Sequence, residues 1–228
     1  TSLMSRIVKQ LLYGSLHLGI LAIILFTFYF LLLRPAPTCI DNKQNQSEEE
    51  IDCGGPCTPC AIKKLKPLQA LPLQLFDAGD GRTTVLMQIQ NANPNYGARK
   101  FEYTIRLADK YGQELLASTQ QVGIYAGELR GIVLPALTVD FQKILRSNVI
   151  IENIVWESSA TLVRPEVQTR ELKTSVSEKF ASVEGVVQNN NPYALGKTIV
   201  NAALLDQEGL YINASRTSLE NIAPFSER

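Results

Sequence analysis

Histidine is almost missing from this sequence: His17 stands alone among 228 residues, and it lies inside the most apolar run of the chain. A soluble site is thereby deprived of the usual general base and imidazole metal ligand. An excess of charge is missing too, since 22 Lys and Arg are balanced by 22 Asp and Glu. Without a basic field there are no phosphate counterions to release, so nucleic acid is not an expected partner. No Gly-x-x-x-x-Gly-Lys loop, Gly-x-Ser-x-Gly elbow or His-containing metal pattern occurs, and no pair of carboxylates stands out. The chain therefore reads as a non-enzyme with no catalytic residue. It opens Thr1-Ser2-Leu3-Met4, which reads as a piece of a longer open reading frame.

What is present begins with an uncharged stretch over 11–33, bounded by Leu11 and Leu33. As a helix it extends roughly 33 Å, enough to cross a bilayer core. Each Leu, Ile or Phe contributes roughly −0.3 to −0.6 kcal/mol to insertion, so the run sums to several kcal/mol in favour of spanning. A cleaved signal peptide is the rival reading, but the run exceeds a usual signal core and ends Arg34-Pro35-Ala36-Pro37, which lacks an A-x-A-like site. An uncleaved, single-pass signal anchor fits better. Near-uniform apolarity, without a small-xxx-small face or a buried charge, favours simple anchoring. His17, near Tyr13, reads as a neutral side chain close to the interface. Arg6 and Lys9 before the run are matched by Arg34 and Lys43 after it, so charge alone does not orient the helix.

All four cysteines fall in one short stretch: Cys39, Cys53, Cys57 and Cys60. Four cysteines allow three pairings. A zinc knuckle is the competing use of Cys57-Thr-Pro-Cys60. Uneven placement of Cys39 and Cys53 and the Gly-Gly-Pro turn favour disulfides, which imply an oxidising compartment. The stalk then lies outside the cell membrane, with the N-terminus cytoplasmic. Asp41, Asn45, Glu48 and Asp52 offer oxygen donors three or four residues apart, a set calcium could use. Without an ion they make a solvated acidic linker, and the missing calcium-loop glycine favours that reading.

The order Cys39-x-Asp41, then Gln44-Asn45, Glu48 and Asp52-Cys53-Gly-Gly-Pro-Cys57-x-x-Cys60 resembles a short motif of many secreted and cell-surface proteins. It covers about a tenth of the chain. Asn42 stands where the motif has glycine. The resemblance implies a surface location and no particular activity.

Beyond the stalk the sequence repeats itself. Val85-Leu-Met-Gln-Ile-Gln90-Asn91-Ala-Asn93-Pro94 aligns with Val183-Glu-Gly-Val-Val-Gln188-Asn189-Asn-Asn191-Pro192, and Asp109-Lys-Tyr-Gly112 aligns with Asp206-Gln-Glu-Gly209. Val85, Met87 and Ile89 alternate with Leu86, Gln88 and Gln90 as a strand should, and Asn-x-Asn-Pro ends it. Phe101, Tyr103, Ile105 and Leu107 alternate into the hairpin tip at Asp109, and Ile199, Ala203 and Leu205 do so into Asp206. Gly131-Ile-Val-Leu134 and two further β-rich runs, over 137–141 and 149–156, complete the first copy. Strands at this spacing imply immunoglobulin-like β-sandwiches. The second copy reads as truncated.

This strand and turn order resembles the small bacterial FxLYD-type and LEA-like β-sandwich modules, although Leu107-Ala-Asp109 and Leu204-Leu-Asp206 lack that family's aromatic before the aspartate. The resemblance implies fold, not function. The expected organisation is a tail over 1–10, a transmembrane helix over 11–33, a Cys-rich stalk over 34–66, and modules over 67–164 and 165–228. Asn45-Gln-Ser47 and Asn213-Ala-Ser215 fit the glycosylation pattern, which the bacterial character of the modules argues against using. The expected role is a membrane-anchored structural or interaction protein, mostly β, whose partners are the lipid bilayer and an unidentified protein or a second copy. An accessory subunit of a secretion, pilus or cell-wall machine is the alternative.

Overall fold

A computed structural model describes residues 6–30, 38–177 and 180–228. The chain divides into two compact units, Thr1–Lys64 and Leu65–Arg228.

The first unit opens with helix α1 (Arg6–Phe28). Its stretch Val8–Phe28 is long and apolar enough to cross a membrane. The helix therefore begins earlier than the expected boundary at Leu11, so Lys9 lies on it; Leu33 and Arg34 fall outside the described residues. Three of its polar side chains are satisfied by its own backbone, as a lipid environment demands. Ser15 Oγ donates to Leu12 O (3.0 Å), Thr27 Oγ1 donates to Ile23 O (2.8 Å), and His17 Nδ1 lies 2.8 Å from Tyr13 O. The stalk follows and ends in the short helix α2 (Cys60–Lys63).

The second unit is all β. Its strands are β1 (Gln69–Ala70), β2 (Gln74–Gly79), β3 (Arg82–Gln90), β4 (Tyr96–Ala108), β5 (Glu114–Ile124), β6 (Leu129–Leu137), β7 (Arg146–Ser158), β8 (Val167–Val176), β9 (Ala181–Asn189), β10 (Thr198–Leu205) and β11 (Tyr211–Leu219). In the first module β3 pairs with β1 and β2 and also with β6, while β4 pairs with β5 and β7, every ladder antiparallel. The two sheets close a sandwich over the alternating inward residues Val85, Met87 and Ile89 of β3 and Phe101, Tyr103, Ile105 and Leu107 of β4. Trp156 of β7 packs against the same cluster.

The expected strand over 137–141 is not one. Leu137 ends β6, and Asp140 Oδ1 accepts from Gln142 N (3.0 Å), capping a 3-10 turn over Phe141–Lys143. The apolar residues misled the reading because Val139 is buried in the core, with Ile144 just beyond the turn, as a strand residue would be.

The second module repeats part of this arrangement. β8 pairs with β9 as β2 does with β3, and β10 pairs with β11 as β4 does with β5. Val187 and Arg228 exchange backbone hydrogen bonds, and Asn189 N donates to Ser226 O (2.8 Å) as Asn91 N does to Glu128 O (2.9 Å). Ser226 and Arg228 thus occupy on β9 the places that Glu128 and Arg130 occupy on β3.

Candidate functional site

The stalk is built by two disulfides, Cys39–Cys57 and Cys53–Cys60. In the simplest chain-entropy model each closed loop of this size contributes roughly 2–4 kcal/mol. The interleaved pairing ties α2 back onto the loop that precedes it, in a segment with no apolar core of its own.

The acidic residues organise this loop. Glu48 and Asp52 are buried, at 6% and 7% exposure, and both accept from backbone amides. Glu48 Oε2 accepts from Asn45 N and Asp52 N, each at 3.1 Å, while Asp52 accepts from Asn42 N with both oxygens (3.1 and 3.2 Å). Asp41 accepts from Lys43 N and from Asn45 Nδ2, both at 2.9 Å. The Asn45 amide, chiefly, holds the Asp41 carboxyl below its ordinary range, with the Thr38 and Lys43 amides adding to the effect. Gln44 Nε2 donates to Glu48 O and Glu49 O. The remaining Glu48 oxygen, Oε1, lies 3.1 Å from Cys57 Sγ, a disulfide sulfur without a proton, so this is a contact rather than a hydrogen bond.

Such a role differs from the calcium reading. The oxygens of Asp41, Glu48 and Asp52 do not gather as a set; among the described residues the two clusters of metal-ligating type are Cys39, Glu48, Cys57 and Glu50, Cys53, Cys60. Their sulfurs are joined in disulfides. Carboxylates turned toward amide hydrogens stabilise the loop by themselves. Asn42 has φ 57°, the left-handed conformation that glycine favours and asparagine tolerates, so the departure from the motif preserves the turn. Gly54 is required by space: a Cβ there would lie 2.6 Å from Glu49 Cγ.

In the modules the Asn-x-Asn-Pro anchors do more than end a strand. Asn91 is buried; its Nδ2 donates to Tyr96 O (2.7 Å) and Tyr125 O (2.9 Å), and its Oδ1 accepts from Asn93 N and Asn93 Nδ2, both at 3.0 Å. Asn93 in turn exchanges hydrogen bonds with the backbone of Lys66, 2.9 Å from its N and 2.8 Å to its O. Asn189 and Asn191 make the same set: Asn189 Nδ2 to Tyr193 O and Ala223 O, Asn191 N and Nδ2 to Asn189 Oδ1, and Asn191 with both backbone groups of Glu166. The pair thus locks the segment entering each module to the loops at one end of it. Pro94 and Pro192 lie exposed in the turns just beyond.

The hairpin anchors are equally alike. Asp109 Oδ1 accepts from Tyr111 N (2.8 Å) and Gln113 N (2.9 Å), Asp206 Oδ1 from Glu208 N (2.9 Å) and Leu210 N (2.8 Å). Gly112 and Gly209 supply the positive φ of each turn, 83° and 81°.

The surface joining the modules was not expected from the sequence. β11 packs on the outward face of the β2-β3-β6 sheet, burying Phe76, Leu86, Val133 and Ala214 with Tyr211 against them. Gln88 Nε2 donates to Tyr211 OH (3.1 Å) and Asn201 Nδ2 to Gly131 O (3.0 Å). An outward Leu in a strand that otherwise alternates was the available signal. One expectation for α1 needs correction as well: Ser15 and Gly19, one turn apart, line a shallow depression with Leu12, Leu16, Ile20 and Ile23, so the helix does carry a small-xxx-small step.

No family model matches the chain, and no curated protein sequence does. Among solved structures, the crystal structure of red sea bream transglutaminase matches over 74% of this chain at 16% identity with a TM-score of 0.27, and the match spans 27% of that chain.

Proposed function

We propose that this protein is an uncleaved, single-pass membrane protein, N-terminus in the cytoplasm, that presents tandem FxLYD- or LEA-like β-sandwich modules outside the membrane as a structural or interaction element. The observation that carries the reading is the pair of interleaved disulfides, the first opening at Cys39, in the segment that follows an apolar helix ending at Phe28. Disulfides persist in oxidising compartments, which supports an extracytoplasmic stalk following the helix. Within the second unit, the Asn locks and the packed surface between the modules support two modules held together rather than loosely tethered. The reading assigns no catalysis.

Thiol labelling of intact cells tests it. A membrane-impermeant maleimide is expected to label the chain only after reduction, at Cys39, Cys53, Cys57 and Cys60. Thiols free without reductant and shielded from that reagent would overturn the orientation.

The second reading, an accessory subunit of an envelope machine, is favoured by the Ser15 and Gly19 step on α1, where another helix could approach closely. Cross-linking in cells separates the two. Reproducible capture of one envelope complex through α1 supports the subunit, whereas capture through the modules supports the interaction element.

A further inference from the structure

The charge of this chain sums to zero, but the charge is not evenly spread. Within the second unit, between the β5 and β6 edges of the first module and the start of the second, lies a cleft of about 530 Å³ lined by Arg130, Arg164, Lys197 and Arg216 and by one carboxylate, Glu128. Glu128 is committed: its Oε2 accepts from Tyr125 N (2.7 Å) and its Oε1 lies 3.5 Å from Arg130 Nε. Arg130 is committed with it, donating also to Gly123 O and lying over the Tyr125 ring. Arg164 and Lys197 have no carboxylate partner among the described residues, and the hydrogen bond from Arg216 Nη1 is a long 3.4 Å to Val133 O. Three cations thus face the cleft without an acid to neutralise them, and unpaired cations in a concave wall concentrate anions there.

The neutral groups of the wall narrow the choice of anion. Tyr103 OH donates to Gln120 Oε1 (2.9 Å), which leaves the Gln120 amide hydrogens free, and Asn201 keeps its carbonyl oxygen free after donating to Gly131 O. Burial pushes both the Tyr103 and the Tyr125 hydroxyl up from their ordinary value, so both stay protonated. The Tyr125 ring, amides and cations in one groove suit a ligand that carries hydroxyls, apolar C–H faces and negative charge together. The volume falls in the range that takes a small organic ligand rather than a bare inorganic ion.

We propose that this cleft binds an acidic saccharide, with Arg164, Lys197 and Arg216 taking its carboxylate or phosphate groups and Gln120 and Asn201 its hydroxyls. The inference rests on the extracytoplasmic placement above for its biological sense, but the binding itself does not. Both modules contribute cations, Arg130 from β6 and Lys197 and Arg216 from the second module, so the packed surface between the modules creates the site.

The test uses the full chain in nanodiscs of zwitterionic lipid, titrated with fluorescein-labelled trigalacturonate. Maltotriose, inorganic phosphate and a glutamate-rich peptide serve as competitors. Saturable binding that trigalacturonate alone displaces is expected. The double variant Arg164→Gln, Lys197→Gln is expected to weaken binding about tenfold, and Lys100→Gln with Lys110→Gln, outside the cleft, to leave it within about twofold. An unchanged melting temperature shows that the variants are folded. Absent binding, equal competition by maltotriose, phosphate or peptide, or an equal loss in the Lys100 and Lys110 variant would each overturn the proposal. Because the assay is done on purified protein, its failure is distinct from a failure of the labelling test of topology.

Discussion

Around Asn91 the first module sets a polar lock beside a closed apolar core of Phe101, Tyr103, Ile105 and their neighbours, whereas around Asn189 the second sets the same lock beside Val187 and Ile222. Both locks form from a few residues near in sequence and one backbone segment, Lys66 or Glu166. Core closure is a different demand. In the first module β6 and β7 complete the two sheets; among the described residues of the second, Ser226 and Arg228 take the β6 position and no strand takes that of β7. Val183, Ile199 and Leu205, at positions corresponding to strands of the first module, are exposed. The comparison separates two things a β-module needs. Local hydrogen bonding defines its geometry, and apolar burial across the full set of strands supplies most of its stability.

The largest expected break in this comparison is in the cores. Phe101→Ala should cost about 3–5 kcal/mol, by lost transfer energy and the cavity left behind. Urea unfolding followed by the single tryptophan, Trp156 on β7, reads it directly. Val187→Ala should cost only about 1 kcal/mol and register in hydrogen exchange along β8 and β9.

The locks should respond alike where the cores do not. Asn91→Ala and Asn189→Ala each strand backbone groups that the amide had satisfied, and each should cost about 1–3 kcal/mol. Unequal losses, measured by exchange at the amides of Asn93 and Asn191, would mean that the core rather than the lock holds these turns.

The surface between the modules can be sharpened next. Tyr211→Phe removes the hydrogen bond with Gln88 and keeps the ring on Leu86, so a loss of about 0.5–1.5 kcal/mol is expected. A double cycle with Gln88→Ala should show the two changes to be non-additive.

The smallest effect is one of pH. Arg99, hydrogen-bonded to Glu157 (Nη2 to Oε1, 2.8 Å), is the chief reason the Glu157 carboxyl is held below its ordinary range. A depressed carboxylate stabilises the fold above the unfolded value of about 4.3, and that contribution is lost as pH falls through the lower folded value. The protection factor of the Gly97 amide, on the paired ends of β4 and β7, should therefore fall in acid once the intrinsic pH dependence of exchange is divided out, and Glu157→Gln should flatten the profile. Gly196 stands where Arg99 does, so β10 should show no such step.

Several of these features were readable one residue at a time. The Asp109 and Asp206 turns are local, each carboxylate reaching amides two and four residues on, and composition and spacing announce them. The Asn-x-Asn-Pro runs announced turns but not locks, because the partner of Asn93 lies 27 residues back and the partner of Asn191 lies 25 back. Leu86 read as the outer face of a strand, and its cover, Ala214 and Tyr211, comes from the other module. Val139 suggested continued strand because apolar residues serve a capping turn as well as a sheet.

By itself the sequence determined that an apolar helix, a disulfide-bonded stalk and a mostly β remainder would follow one another, since insertion energy, cysteine spacing and period-two alternation act over neighbouring residues. Only the tertiary structure decided that Cys39 joins Cys57 and Cys53 joins Cys60, that the acidic side chains of the stalk turn toward amides, and that β11 covers β3. Each of these depends on which distant groups come within a few ångströms, and composition and period do not encode that distance.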